Sequence, residues 1–164
     1  MSVPEAGDRA PDFALPDETG TVHRLSEQRA VWTVVYFYPA DDTPGCTIES
    51  CQFRDVDPQI RAASAQVWGI SPDGAASHTR FRAKFDLPFT LLSDEEHAVA
   101  TLYGAWQLKS MYGRESMGIQ RSTFLVDPDG LIARAWPKVR ADGHAAEVLA
   151  AIEDARSARR ASGR

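Results

Sequence analysis

The stretch VWTVVYFYPADDTPGCTIESC, Val31 to Cys51, decides how this chain is read. Its first part, Val31 to Tyr38, is a nearly unbroken run of β-branched and aromatic residues. Such a run predicts a strand buried on both faces, at the centre of a parallel or mixed sheet. Its second part holds both cysteines of the 164-residue chain, Cys46 and Cys51, and the first follows directly on Thr43-Pro44-Gly45. Threonine before proline is a helix-start signal: threonine suits the N-cap, and proline suits the first helical position, where its missing N–H costs nothing. Cys46 then falls in the first turn, where unpaired backbone N–H groups and the positive end of the helix dipole favour a thiolate over a thiol.

Working outward, strand and helix patterns alternate. The cysteine helix is expected to run to about Ala65, kinked or divided at Pro58. Val67 to Pro72 reads as the next buried strand, Gly74 to Phe85 as a helix, Phe89 to Leu92 as a strand and His97 to Ala105 as a helix. Ser122 to Trp136 reads as a hairpin that turns at Asp127-Pro128-Asp129-Gly130. From Ala145 to about Ser157, the residues Ala145, Val148, Leu149 and Ile152 form one apolar helix face. Ahead of the central strand, Phe13 to Leu25 suggests a short N-terminal hairpin with Thr19-Gly20 at its tip. The pattern predicts an α/β fold with a central mixed sheet.

At 18.0 kDa the chain is expected to form one domain over residues 1–164. Its net charge of −5 argues against a nucleic-acid phosphate backbone as main partner. The basic run Arg156 to Arg164 reads as a flexible, solvated tail. No apolar run approaches the roughly 20 residues of a membrane span, and the N-terminus lacks a secretory pattern, so no membrane partner and a cytoplasmic location are expected. In a reducing compartment a lone cysteine pair points to reactivity rather than to a structural staple.

Ionisation alone does not make Cys46 a catalyst. A free thiol with a pKa near 8.5 is already about 10% ionised at pH 7.5, so complete ionisation gains only about tenfold in reactive species. Further acceleration needs oriented donors that grip the substrate and stabilise charge on the leaving group. The Cys46 backbone N–H, the Thr43 hydroxyl and a cation from elsewhere are the candidates. In an intact helix, residues five apart are turned by about 140° with Cα atoms roughly 8.6 Å apart. A disulfide needs about 7 Å or less, so Cys46 and Cys51 can bond only if that helix unwinds. This suits a reaction in which Cys46 is modified first and Cys51 arrives through local unfolding. The alternative is that one or both cysteines simply pack as small buried hydrophobes. His23, His78, His97 and His144 are scattered, so no metal site is expected, and there is no Cys-x-x-Cys for a dithiol reductase.

Pro39-x-x-x-Thr43-x-x-Cys46 resembles the active-site motif of the peroxiredoxins, and YFYPADDTPGCTIESCQFRD resembles their bacterioferritin-comigratory, or Q-type, subgroup. The strings Gly7 to Gly20, Leu87 to Asp94, Tyr103 to Gly130 and the final helix resemble it too. The resemblance implies a thioredoxin-like fold with an N-terminal extension, and antioxidant reduction of hydrogen peroxide and of alkyl and other organic hydroperoxides by thiols. Cys46 would be the peroxidatic cysteine and Cys51 the resolving one. Pro39 would shield the thiolate, Thr43 would hydrogen-bond thiolate and peroxide, and Gly45 and Cys46 would offer backbone N–H groups. Arg121, by residue type alone an ordinary surface arginine, would be the active-site cation, and Glu49 is a candidate orienting partner for it or else a solvated helix residue.

Thioredoxin or a similar dithiol is the reductant expected, no cofactor is implied, and a monomer is expected. Asp41 and Asp42 are expected to point into solvent, and Trp106 and Tyr112 to pack. Ala30-Val31 departs from a Gly-Lys frequent in the subgroup, away from the chemistry. Two other readings use the same residues. One is a redox-responsive binding protein, in which oxidation unwinds the Cys46 helix. The other is a thiol hydrolase, which would want a histidine base that does not stand out.

Overall fold

The structure, a computed structural model, describes residues 3–163. The N-terminal hairpin pairs β1 (Ala14–Pro16) with β2 (Val22–Arg24) antiparallel. Its turn is held by Asp17, whose carboxylate accepts the Thr19 and Thr21 N–H groups at 2.8 and 3.1 Å. The central strand β3 (Trp32–Phe37) is buried along its whole length. It leads to α1 (Pro44–Ala62), β4 (Ala65–Ser71), α2 (Ala75–Phe85) and β5 (Thr90–Ser93). After α3 (Ala98–Leu102) come β6 (Trp106–Met111), β7 (Arg114–Ile119), β8 (Ser122–Val126), β9 (Ile132–Trp136) and α4 (His144–Ala161).

The main sheet has the order β5-β4-β3-β8-β9, with β3, β4 and β5 parallel and β8 and β9 antiparallel to their neighbours. It is the mixed sheet of a thioredoxin-like fold. Alternation along β3 splits the core in two, because successive side chains of a strand point to opposite faces. Trp32, Val34 and Tyr36 join Phe53 and Ile60 of α1, Phe81 of α2, and Val148 and Ile152 of α4 on one face. Val35 and Phe37 join Phe13, Trp68, Val99, Tyr103 and Phe124 on the other.

Four expectations need correction. Pro58 does not divide α1, which is one helix of 19 residues. Pro58 lies on the exposed side of the helix and removes only one backbone bond, the one its missing N–H would make to the Arg54 carbonyl. The helix expected to reach Ala105 stops at Leu102, because Gly104 takes φ +70°. Ala105 N–H then closes on the Ala100 carbonyl and Gly104 N–H on that of Thr101, a Schellman stop.

The hairpin β6–β7 was not anticipated, and Tyr112, expected to pack, is 98% exposed at its tip. Tyr112 and Gly113 both have positive φ, as a two-residue hairpin turn of the favoured hand requires. Trp106 does pack, stacked on His97 with ring centroids 3.8 Å apart. Finally, residues 156–161 continue α4 rather than fraying. Arg159 lies 3.0 Å from Asp129 and 3.7 Å from Asp127 of the β8–β9 turn, while Arg164 is outside the described residues.

Candidate active site

The site begins where β3 hands the chain to α1. Tyr38 N–H donates to the Ile70 carbonyl, and half-buried Pro39 opens the loop that follows. Thr43 stands at the N-cap with extended backbone, Pro44 is the first helical residue, and Thr47 N–H is bonded to the Thr43 carbonyl at 2.8 Å. The N–H groups of Gly45 and Cys46 lie ahead of that bond, at the unpaired end of the helix. The Thr43 side chain does not cap; its hydroxyl donates to the Ala40 carbonyl at 2.9 Å.

Cys46 is 1% exposed and packs into the core under α1. Arg121 comes from far along the chain but from the adjacent strand. Ser122 pairs with Phe37 across β3 and β8, so Arg121, one residue earlier, emerges beside the end of β3. Its carbonyl accepts Val139 N–H at 2.9 Å. Nη2 donates to Cys46 Sγ at 3.3 Å and Nη1 to Glu49 Oε1 at 2.6 Å. Gly45 makes room for this approach, since a Cβ there would lie 3.1 Å from Nη2.

Glu49, expected as an orienting partner, is fully buried. Burial pushes its carboxyl up to about 7, against the lowering effect of Arg121. Its second oxygen, Oε2, has no hydrogen-bond partner among the described residues. Burial also opposes charge on Arg121, but Glu49 and Cys46 outweigh it and hold the guanidinium above its ordinary range. Lys109 of β6 lies in the same field: burial and then Arg121 lower its pKa, while Cys46 acts the other way. Sequence reasoning did not single out Lys109, whose type and spacing carry no motif of their own.

Cys51 is half-buried and free on the same unbroken helix as Cys46. The turn between them is anchored by a 2.8 Å hydrogen bond between the Ser50 and Tyr36 hydroxyls, and Phe53 stacks on the Tyr36 ring. Gln52 ties α1 to the loop before α4, donating to Asp142 and accepting Gly143 N–H.

Asp42 pairs with Lys84 at the surface, but Asp41 does not point into solvent. It is buried and hydrogen-bonded to Tyr38, Ser77 and His78. A desolvated carboxylate needs such donors, and the loop supplies them from residues too far apart in sequence to be read together. Neither buried histidine is bonded to Cys46: His78 meets Asp41 and the Leu92 carbonyl, and His144 meets Thr123 and Glu147. Among the described residues no group of three or more His, Cys, Asp or Glu is placed to hold a metal ion, and no helix is long and apolar enough to cross a membrane.

A thiol that meets a guanidinium at a helix start, carried on a thioredoxin-like sheet, defines a peroxiredoxin, an oxidoreductase that acts on peroxides through cysteine. The chain belongs to the AhpC/TSA family, whose profile matches residues 6–135. Within it the chain falls in the bacterioferritin-comigratory, Q-type group. It is 43% identical over 150 residues to peroxiredoxin Bcp of Bacillus subtilis, covering 92% of this chain and 96% of that one. It is similar to a Xanthomonas campestris bacterioferritin comigratory protein solved for its alkyl peroxide reduction activity. There the identity is 39%, the TM-score 0.85, and the coverage 92% of this chain and 98% of the other. The PrxQ structure of Xylella fastidiosa gives a TM-score of 0.88 at 35% identity, covering 94% of this chain and 98% of that one.

Proposed function

We propose that this chain reduces hydrogen peroxide and organic hydroperoxides by a two-cysteine cycle, and that Cys46 is the attacking thiol. The observation that carries the reading is the 3.3 Å contact between Arg121 Nη2 and Cys46 Sγ at the open end of α1. Arg121 stabilises the thiolate and the negative charge that grows on the departing oxygen, and the Gly45 and Cys46 N–H groups serve the same charge. Thr43, whose hydroxyl donates its hydrogen bond to the Ala40 carbonyl, presents oxygen lone pairs that can accept the peroxide O–H. Pro39 covers the thiolate from the loop side.

The Cys46 thiolate attacks the terminal peroxide oxygen, the O–O bond breaks, and the departing oxygen leaves as water or an alcohol by taking up a proton equivalent to the one the thiol released on ionising. Cys46 is then a sulfenic acid. Cys51 condenses with it, releasing water and forming the 46–51 disulfide, after the first turns of α1 unwind. Thioredoxin or a similar dithiol, as the cytoplasm supplies, takes up the oxidation and returns both thiols. The alkyl peroxide activity named for the Xanthomonas relative supports including organic hydroperoxides.

The test is mass spectrometry after one equivalent of hydrogen peroxide. The expected product is a 46–51 disulfide that thioredoxin reduces. Cys46→Ser should consume no peroxide, and Cys51→Ser should stop at sulfenic or over-oxidised Cys46. A Cys51→Ser protein that still cycles with thioredoxin would remove Cys51 from the resolving role; a Cys46→Ser protein that still turns over would end the whole reading.

A further inference from the structure

The loop between β3 and α1 is held by a buried charge pair that the thiol chemistry does not itself use. The Asp41 side chain is 3% exposed and that of His78 is 0% exposed. The Asp41 carboxylate accepts the Tyr38 hydroxyl at 2.6 Å, the Ser77 hydroxyl at 2.8 Å and His78 Nδ1 at 2.7 Å. Asp41 N–H donates to Asp73 Oδ2 at 2.7 Å, and the Ser71 hydroxyl steadies that oxygen at 2.7 Å. On the other side of its ring, His78 Nε2 faces the Leu92 carbonyl at 3.0 Å. A neutral imidazole has one N–H, and a carbonyl oxygen can only accept. With a carboxylate against one nitrogen and a carbonyl against the other, both nitrogens donate and His78 is an imidazolium. The contact is therefore charge-assisted, and it fastens the loop to α2 across 37 positions of sequence.

We infer that Asp41 and His78 are a positioning pair for the peroxidase reaction: their carboxylate–imidazolium contact holds the loop of residues 39–43, and the helix start behind it, in the form that reacts with peroxide. Neither is bonded to the sulfur, so both act through Pro39, Thr43 and the Cys46 turn. The inference rests on Cys46 as the peroxide-reactive thiol and is independent of Cys51.

A pH signature follows. Burial opposes charge on His78, but the hydrogen bond and charge of Asp41 outweigh it, and Asp73 adds to them. The groups that act on the ring are Asp41 and Asp73 from the loops before α1 and α2 and the Leu92 carbonyl from β5, while Tyr38, just past the end of β3, is bonded to Asp41. On α2 itself, Lys84 is turned to Asp42, and Arg80 lines the surface hollow outside Asp41 and Ser77. The His78 pKa is raised, so its contribution is complete below the ordinary histidine value of about 6.5 and is lost as pH rises through the raised value. Burial works against the Asp41 charge too, but His78 and Tyr38 hold its pKa down, so on the acid side the pair fails only as pH falls through that lowered value. The pair weakens as pH rises through the raised His78 value, so the first turnover gains a descending alkaline limb.

The experiment uses the full chain carrying Cys51→Ser, mixed rapidly with hydrogen peroxide from about pH 5 to pH 10, with the second-order rate of Cys46 oxidation as readout. His78→Asn offers an uncharged donor to Asp41 and none to Leu92. It should react about tenfold more slowly near neutrality and lose the descending limb, and Asp41→Asn should do the same. Hydrogen exchange should quicken only around residues 38–46 and 75–80. If His78→Asn does not fold, Ser77→Ala, which removes one of three donors, should still slow the reaction about threefold. Folded variants that react within about twofold of the parent and keep its pH profile overturn the inference. A Cys51→Ser parent that does not react at all overturns the peroxidase reading beneath it.

Discussion

Arg121 stands between a thiol and a carboxyl, and its two terminal nitrogens divide between them. Glu49 is the more costly neighbour, because a buried carboxylate with one bare oxygen is far from its water-solvated state. Its pKa is lifted from 4.5 to about 7, with burial as the leading cause. Between those values the folded chain holds a proton that the unfolded chain has released, so stability falls as pH rises through the window, by about 3 kcal/mol. Glu49→Gln removes this titration and keeps an oxygen for Nη1. Urea unfolding at pH 5 and at pH 7.5 should therefore show a smaller pH difference in Glu49→Gln than in the parent. Equal differences would mean that Glu49 is already ionised at pH 5, with Arg121 holding it. Little of this was legible in the sequence. Cys46 announced itself through Thr43-Pro44, a local signal, whereas Arg121 is 75 positions away and by residue type looks like any surface arginine. Only the resemblance singled it out. The burial of Asp41 escapes the sequence for the same reason, since its partners Ser77 and His78 come from α2.

Helix α1 carries both cysteines, and the proposed disulfide requires its first turns to open. What resists opening can be named: the Glu49–Arg121 pair, the Tyr36–Ser50 hydroxyl bond and the stacking of Phe53 on Tyr36. Gln52 anchors the helix just beyond. The Tyr36–Ser50 bond lies wholly in the interior, so deleting one hydroxyl strands the other there, at a cost of about 1 to 3 kcal/mol to the closed helix. Unwinding releases Ser50 to water and recovers that cost. Tyr36→Phe should therefore lower stability and speed closure of the 46–51 disulfide by roughly fivefold or more, read by rapid mixing with peroxide. An unchanged closure rate would place the opening entirely ahead of Ser50. At this scale the sequence was a good guide to β3, α1, α2 and the β8–β9 hairpin, whose patterns are strong and local. It failed for β6–β7, where Ser110 breaks the alternation of Trp106 to Lys109 and the turn uses Tyr112-Gly113 in place of Asn-Gly.

Across the whole molecule, pairing register connects these parts. The match of Phe37 with Ser122 brings Arg121 to Cys46, and the match of Tyr36 with Gly69 and Gly69 with Leu91 sets the floor under α1. Composition and pattern indicated a mixed sheet but not this register, which depends on contacts between distant strands. Gly69 tests it directly. A Cβ at Gly69 would lie 2.8 Å from Cζ and Oη of Tyr36 and 2.9 Å from Cδ2 of Leu91, closer than carbon atoms pack. Tyr36 cannot simply swing away, because its ring is confined by Tyr38, Phe53 and Phe89 and its hydroxyl by Ser50. Gly69→Ala must therefore push the ring into α1, and overpacking of this kind costs about 1 to 3 kcal/mol. The urea midpoint should fall with an unchanged m-value, since the same surface is exposed on unfolding. Adding Tyr36→Phe to Gly69→Ala removes one of the three clashing atoms, so the double variant should lose less than the sum of the single losses. Strict additivity would show that the two sites do not touch, and the registered floor beneath α1 would have to be redrawn.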